Sequence, residues 1–210
     1  MKYDVITIGG ATEDITFYTN EGILINNKKD VLRQRLLAFE YGAKLQIDKS
    51  HSTFGGGAAN SSVCFSLFGL NSASLVAIGD DDRGEKIIKN LEKYKVDVSL
   101  VQKKEDNESG FSFLLVGQGN EHIVFSNRAS NTKLEINDFE LQNLKNTNWI
   151  YMTSLSGKWK DVLKKVFSVK IRISSLINSN HSSSTISILV ITTMPCFMLS
   201  IEQISMCSLV

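Results

Sequence analysis

Three consecutive glycines, Gly55-Gly56-Gly57, run directly into Ala58-Ala59-Asn60 and then into residues that are apolar or small almost all round as far as Leu70. Backbone without Cβ atoms can approach a ligand or a second chain segment closely. A helix that opens directly after such a run turns its first amide groups toward whatever lies there. The segment is therefore read as a tight turn into a buried helix spanning about Asn60 to Leu70, a turn that suits a polar ligand. Taken alone, the run is equally compatible with a turn that holds nothing. Two nucleotide-binding loops are excluded by residue identity: Asn60 stands where Gly-x-Gly-x-x-Gly needs its third glycine, and no Gly-Lys-Ser/Thr follows as in a Walker phosphate loop.

The rest of the chain fixes the class of fold. Val5, Ile6 and Ile8 form an apolar run closed by Gly9-Gly10, the pattern of a strand buried on both faces. Leu75 to Ile78 repeats it and ends in Gly79-Asp80-Asp81-Asp82, and Trp149 to Met152 gives a third strand. Between them Ile87, Ile88, Leu91 and Tyr94 recur at helical spacing, as do Trp159, Val162, Leu163, Val166 and Phe167. Phe111–Val116 and His122–Ser126 are β-rich runs around a glycine-containing loop, which predicts a hairpin. Residues 20–49 show weak periodicity and read as a peripheral excursion. Strands alternating with helices predict a mostly parallel α/β sheet.

Charge and cysteine content narrow the partners. With 23 basic and 22 acidic residues the formal charge is +1, so there is no broad electrostatic footprint for nucleic acid and a small molecule is the expected partner. Cys64, Cys196 and Cys207 are too few and too scattered for a disulfide framework or a zinc cluster. Asp4, Glu13 and Asp14 interrupt any apolar leader at the N-terminus, giving a cytoplasmic address by default.

After Phe167 the composition changes. Only Lys170, Arg172 and Glu202 are charged beyond that point, glycine ends at Gly157, aspartate at Asp161, and the sole proline is Pro195. An α/β continuation needs turn residues between its elements. Residues 168–210 are therefore set apart as an atypical tail, with a disrupted reading frame or a disordered tail as the favoured reading. Two alternatives stay open: a membrane anchor over Ile186 to Ile201, which is short for a span, and an unusual strand-rich ending.

The spacing of the glycine run carries a resemblance. Gly56-Gly57-Ala58-Ala59-Asn60-Ser61-Ser62, then Gly69, then Gly79, resembles the N-terminal signature of the PfkB or ribokinase family of carbohydrate and nucleoside kinases. Gly9 with Asp14 looks like the family's opening strand and turn, and Gly79-Asp80-Asp81-x-x-Gly84 like its next motif. The resemblance covers about residues 1–165. It implies a ribokinase-like parallel sheet with helices on both faces and a small β lid from about Ile15 to Ile25 and Phe111 to Ser126, carried by residues 1–167 and incomplete at the C-terminal side. It also implies ATP-dependent phosphorylation of a hydroxymethyl group on a sugar or nucleoside, with ATP and magnesium as cofactors.

The roles carried over are specific. Asp14 would accept hydrogen bonds from substrate hydroxyls, as a carboxylate with several acceptor sites does well, unless it is only a solvated turn residue. Asn60 and the amides of Gly56 and Gly57 would read further hydroxyls. Arg128, after the hairpin, would reach an anion or is a surface charge, with the two readings equal. Asp81 and its neighbours are expected to cap the helix that follows rather than bind a metal. His51, His122 and His181 have no partner at ligand or nucleophile spacing. The family's Gly-Ala-Gly-Asp element, which supplies the catalytic base and the anion hole, does not occur in these 210 residues, so no catalytic residue is assigned. The resemblance thus implies a kinase by descent that is inactive as written, leaving apolar surface uncovered. The alternative is a polyol-binding or lid-mediated oligomerisation module, including a homodimer through the lid.

Overall fold

The computed structural model describes residues 3–117, 121–169 and 187–190. Its centre is β1 (Tyr3–Ile8), buried on both faces as its apolar run predicts. β1 pairs in parallel with β6 (Ser72–Leu75) on one side and β11 (Thr147–Met152) on the other, and β12 (Ser187–Val190) pairs in parallel with β11. The sheet order is β12-β11-β1-β6, and all four carboxyl ends lie at one edge of the sheet.

Alternation along the strands divides the core. Ile6, Ile8, Ile150 and Met152 pack with Leu144 of α3 (Asp138–Lys145) and with Val162 and Val166 of α4 (Trp159–Ser168). On the opposite face the Thr7 hydroxyl donates to the Ala58 carbonyl in α1 (Gly57–Leu67). Ala58 and Ala59 cluster there with Ile87 and Leu91 of α2 (Asp82–Lys93). The fold is therefore a mixed α/β layering with helices on both faces. The helices obey local rules: Asn137 and Glu140 form a capping box on α3, and Asp81 caps α2 by accepting from the Gly84 amide.

A second sheet stands over the carboxyl end of the first as a lid. It has the order β10-β9-β2-β5, built from β2 (Thr12–Tyr18), β5 (Lys49–Gly55), β9 (Phe111–Val116) and β10 (His122–Asn127). The expected hairpin is β9–β10, and β2 pairs antiparallel with β5 and parallel with β9. Residues 20–49 carry a small exposed hairpin, β3 (Ile23–Asn26) with β4 (Arg35–Ala38).

Several expectations are corrected. The helix after the glycine run begins at Gly57, inside the run, and is buried along one side only: Leu67 and Phe68 are 70% and 75% exposed. The run from Leu75 to Ile78 is two short strands, because β6 ends at Leu75 and β7 (Ala77–Gly79) leaves to pair with β8 (Gln102–Lys104). The lid strand that starts before Ile15 ends at Tyr18, and Lys49–Gly55 supplies an edge strand the pattern did not mark. Beyond Val169 the tail lies outside the described residues except for Ser187–Val190, which extend the main sheet. Apolar surface is present on the α1 side of β11, where Trp149 is 50% exposed beside the edge-to-face pair Phe65–Tyr151.

Candidate functional site

The chain leaves β1 at its carboxyl edge and turns through Gly9, Gly10 and Ala11 into the lid. In open α/β sheets this edge is where ligands bind. The glycine run is pressed against that turn. Gly56 has φ +93°, and a Cβ there would meet the Gly10 carbonyl oxygen and the Ala11 Cα. A Cβ on Gly57 would strike the Thr153 side chain, and one on Gly55 would strike the Asp14 carboxylate. The three glycines are thus required by close approach of three different segments.

The first turn of α1 follows from this packing. The amides of Ala58 and Ala59 donate to the Gly10 carbonyl at 3.2 and 3.4 Å, and Asn60 makes the first intrahelical bond, to the Gly56 carbonyl at 2.9 Å. Of the amides that a helix start leaves without an intrahelical partner, those of Gly56 and Gly57 have no backbone partner among the described residues. Among the described residues no side chain caps the helix, and no acidic residue lies in its first turn. Asp14, half-buried on β2, lies beside Gly55 and accepts from the Thr12 hydroxyl at 3.1 Å. Its cross-strand neighbours are Thr53 and Ser112, so one face of the lid carries a polar row of hydroxyls and a carboxylate. Asn60 is exposed on α1, one turn beyond Gly56.

Asp14, Gly56 and Gly57, singled out from the sequence, therefore meet at the carboxyl edge of β1, with Asn60 on the same helix start. Arg128 follows β10, is exposed and donates from Nη1 to the Ser156 hydroxyl at 2.9 Å, on the loop after β11. His51 packs edge to face on Tyr18 and His122 lies in β10, while His181, Cys196 and Cys207 fall outside the described residues.

Three supporting sets of contacts were not anticipated. Asn131 is buried and grips Ala11 with both ends of its carboxamide. Asp81, besides capping α2, accepts from the Ser109 amide at 2.8 Å and from the Ser109 hydroxyl, so the Gly79-to-Gly84 motif anchors the segment that leads into β9. Burial pushes the Asp81 carboxyl up, but Ser109, the Gly84 amide and nearby Arg83 outweigh it and hold the group below its ordinary value. Glu13 is 4% exposed on the other face of β2. It accepts from the Ser52 hydroxyl at 2.8 Å and Arg83 Nε at 3.0 Å, with Lys86 at 3.6 Å. Burial again pushes upward, and the Ser52 and Arg83 bonds with the Lys86 charge hold Glu13 low. Alternation on β2 was the available signal: a carboxylate next to Asp14 must face the opposite side.

Among the described residues no cluster of His, Cys, Asp or Glu could hold a metal ion, and no helix is long and apolar enough to cross a membrane. An apolar hollow of about 200 Å³ lies between β3–β4 and the β9–β10 tip, lined by Leu24, Leu36, Leu37 and Ile123, away from Asp14 and the glycine run.

Residues 30–194 match the family model described as pfkB family carbohydrate kinase. That match contains the glycine run, begins after Asp14 and continues past Phe167. The fold is similar to ribokinase from Arabidopsis thaliana complexed with ribose and ATP (TM-score 0.67, 15% identity, 80% of this chain, 51% of that one). It is also similar to the nucleoside kinase of Methanocaldococcus jannaschii (TM-score 0.62, 19% identity, 81% of this chain, 51% of that one). In sequence it is 24% identical over 115 residues to the ATP-dependent ribose-1-phosphate kinase of Halopiger xanaduensis, covering 55% of this chain and 39% of that protein. The chain spans about half the length of the two solved proteins.

Proposed function

We propose that this chain, which belongs to the pfkB family of carbohydrate kinases, forms the acceptor-binding side of an ATP-dependent kinase acting on a hydroxymethyl group of a sugar or nucleoside. The observation that carries the reading is the Asp14 carboxylate lying beside Gly55, directly ahead of the Gly56 and Gly57 amides that open α1 at the carboxyl edge of β1. A carboxylate accepts from two or more hydroxyls, two amides donate to hydroxyl oxygens, and the Asn60 carboxamide does both. That set reads an uncharged polyol. Arg128, exposed and held by Ser156 on the loop after β11, would add a place for an anion, such as a phosphate on the acceptor.

ATP and magnesium are the cofactors the family implies. The Gly-Ala-Gly-Asp element that the resemblance would place at their site does not occur in these 210 residues. We therefore infer that these 210 residues bind an acceptor without transferring a phosphoryl group, since that transfer relies on positioning and charge stabilisation supplied by such groups. Calorimetric titration with sugars, sugar phosphates and nucleosides, alongside a coupled assay of ATP consumption, tests this. Binding without turnover is expected; turnover above the uncatalysed background would refute the division of labour.

A second reading is self-association through the lid. Ile15, Phe17, Phe113, Leu115, Ile123 and Phe125 share the lid face opposite Asp14, and Phe125 is 57% exposed. Light scattering decides it: a dimer mass lost on Phe125→Ser supports association, and a monomer mass for the unaltered chain excludes it.

A further inference from the structure

Asn131 sits on the 3-10 helix Ala129–Lys133, 120 residues along the chain from the turn it touches. Its carboxamide oxygen accepts from the Ala11 amide and its nitrogen donates to the Ala11 carbonyl, both at 2.9 Å and both buried. Two bonds from one planar group to one residue fix the orientation of that residue as well as its position. The residue before it, Gly10, carries the carbonyl that receives the Ala58 and Ala59 amides. The β1–β2 turn is therefore held from two sides, by α1 at Gly10 and by Asn131 at Ala11.

Asn131 is itself fixed. Its amide donates to the Arg128 carbonyl, and the preceding Ser130 donates from both amide and hydroxyl to the Glu108 carbonyl. A Cβ on Gly110 would strike the Asn131 amide nitrogen, so the root of β9 closes over the carboxamide. The same side chain thus lies between the turn that leads to Asp14 and the strand that carries Ser112.

We propose that Asn131 is a positioning residue of the acceptor site: by clamping Ala11 it sets where Asp14 stands relative to the Gly56 and Gly57 amides. The inference rests on the acceptor reading given above. Asparagine suits the role because it offers a donor and an acceptor on one rigid plane. An aspartate of the same shape keeps the acceptor, loses the donor, and sets a negative charge against the Ala11 carbonyl.

The test uses the full chain, with Asn131→Asp and Asn131→Ser as variants and Leu144→Ala as a control that weakens the opposite face of the sheet. Amide exchange at Ala11 and calorimetric titration with ribose, fructose and adenosine are the two readouts. Loss of a buried hydrogen bond of ordinary strength corresponds to about tenfold. Asn131→Ser, too short to hold both Ala11 groups, is expected to raise Ala11 exchange by about that factor relative to the α4 amides, and both Asn131→Ser and Asn131→Asp, which keeps the acceptor for the Ala11 amide but loses the donor to its carbonyl, are expected to weaken acceptor binding by about tenfold. Leu144→Ala, at a comparable fall in melting temperature, should leave affinity within about twofold. Unchanged Ala11 exchange in Asn131→Ser, or an affinity that falls only as far as in Leu144→Ala, overturns the proposal. If the unaltered chain binds none of the three compounds, the acceptor reading fails and takes the positioning role with it. Ala11 exchange would then still report separately whether the clamp exists.

Discussion

Glu13 and Asp14 are neighbours on β2, yet the two faces of the lid treat them in opposite ways. Glu13 points toward α2, is almost fully buried, and is engaged by Ser52, Arg83 and Lys86, with the Arg83 guanidinium lying 4.4 Å from the centre of the Phe111 ring. Asp14 points toward the glycine run and remains half-buried, and among the described residues its carboxylate accepts from one side chain, that of Thr12. A buried carboxylate that has spent its acceptor sites on the protein is a fastening. One that keeps acceptor sites in a partly open crevice is available to a ligand. The lid strand therefore fastens itself to the body with one residue and, in the proposed acceptor site, would present a recognition group with the next.

The comparison depends on the turn being held, so its most damaging test is Gly56→Ala. A side chain at φ +93°, meeting the Gly10 carbonyl and Ala11, should cost about 3–5 kcal/mol from backbone strain and overpacking together. A urea unfolding curve measures it, and both lid faces should suffer alike. Asp14→Asn separates them. It should weaken acceptor binding by about a hundredfold, as for the loss of one or two charge-assisted hydrogen bonds, while the urea midpoint stays where it was.

Glu13→Gln should do the reverse. Removing the charge opposite partly exposed Arg83 is expected to cost about 2 kcal/mol of stability, with acceptor affinity changed by no more than about threefold. Acid titration sharpens the same point. Glu13 and Asp81 are both held below their ordinary values of 4.5 and 3.8, so each stabilises the fold above those values and loses that contribution as pH falls through its lower folded value. The urea midpoint should fall below about pH 4.5, and Glu13→Gln should flatten part of that fall. The smallest effect belongs to the excursion outside both faces. Leu32 is 93% exposed, and Leu32→Ser should change stability by less than about 0.5 kcal/mol.

Much of the body was legible because its signals are local. The apolar run of β1, the helical spacing of Ile87 and Leu91, and the β9–β10 hairpin all follow from periodicities of two or 3.6 residues. Asp14 and the glycine run were singled out through the family resemblance, Asp14 by its place after Gly9 and the run by its spacing to Gly69 and Gly79. The lid edge β5 was not, because Lys49-Ser50-His51-Ser52-Thr53 is exposed and has no apolar alternation to mark it. The α3 helix was overlooked although Asn137-x-x-Glu140 is a capping-box pattern. Glu13, Asn131 and the Asp81–Ser109 bond were not readable as supports, since each acts on a segment distant in the chain. Distance in sequence hides such contacts, whereas the close approach that demands Gly55, Gly56 and Gly57 leaves three glycines in plain view.

The central claim is that the Asp14 face of β2 is an acceptor site and the Glu13 face is not. Parallel calorimetric titrations of the unaltered chain, Asp14→Asn and Glu13→Gln with one panel of sugars and nucleosides test it most directly. The account predicts binding by the unaltered chain, retained in Glu13→Gln and lost in Asp14→Asn. Equal binding by Asp14→Asn, or no binding by the unaltered chain to any member of the panel, would contradict it.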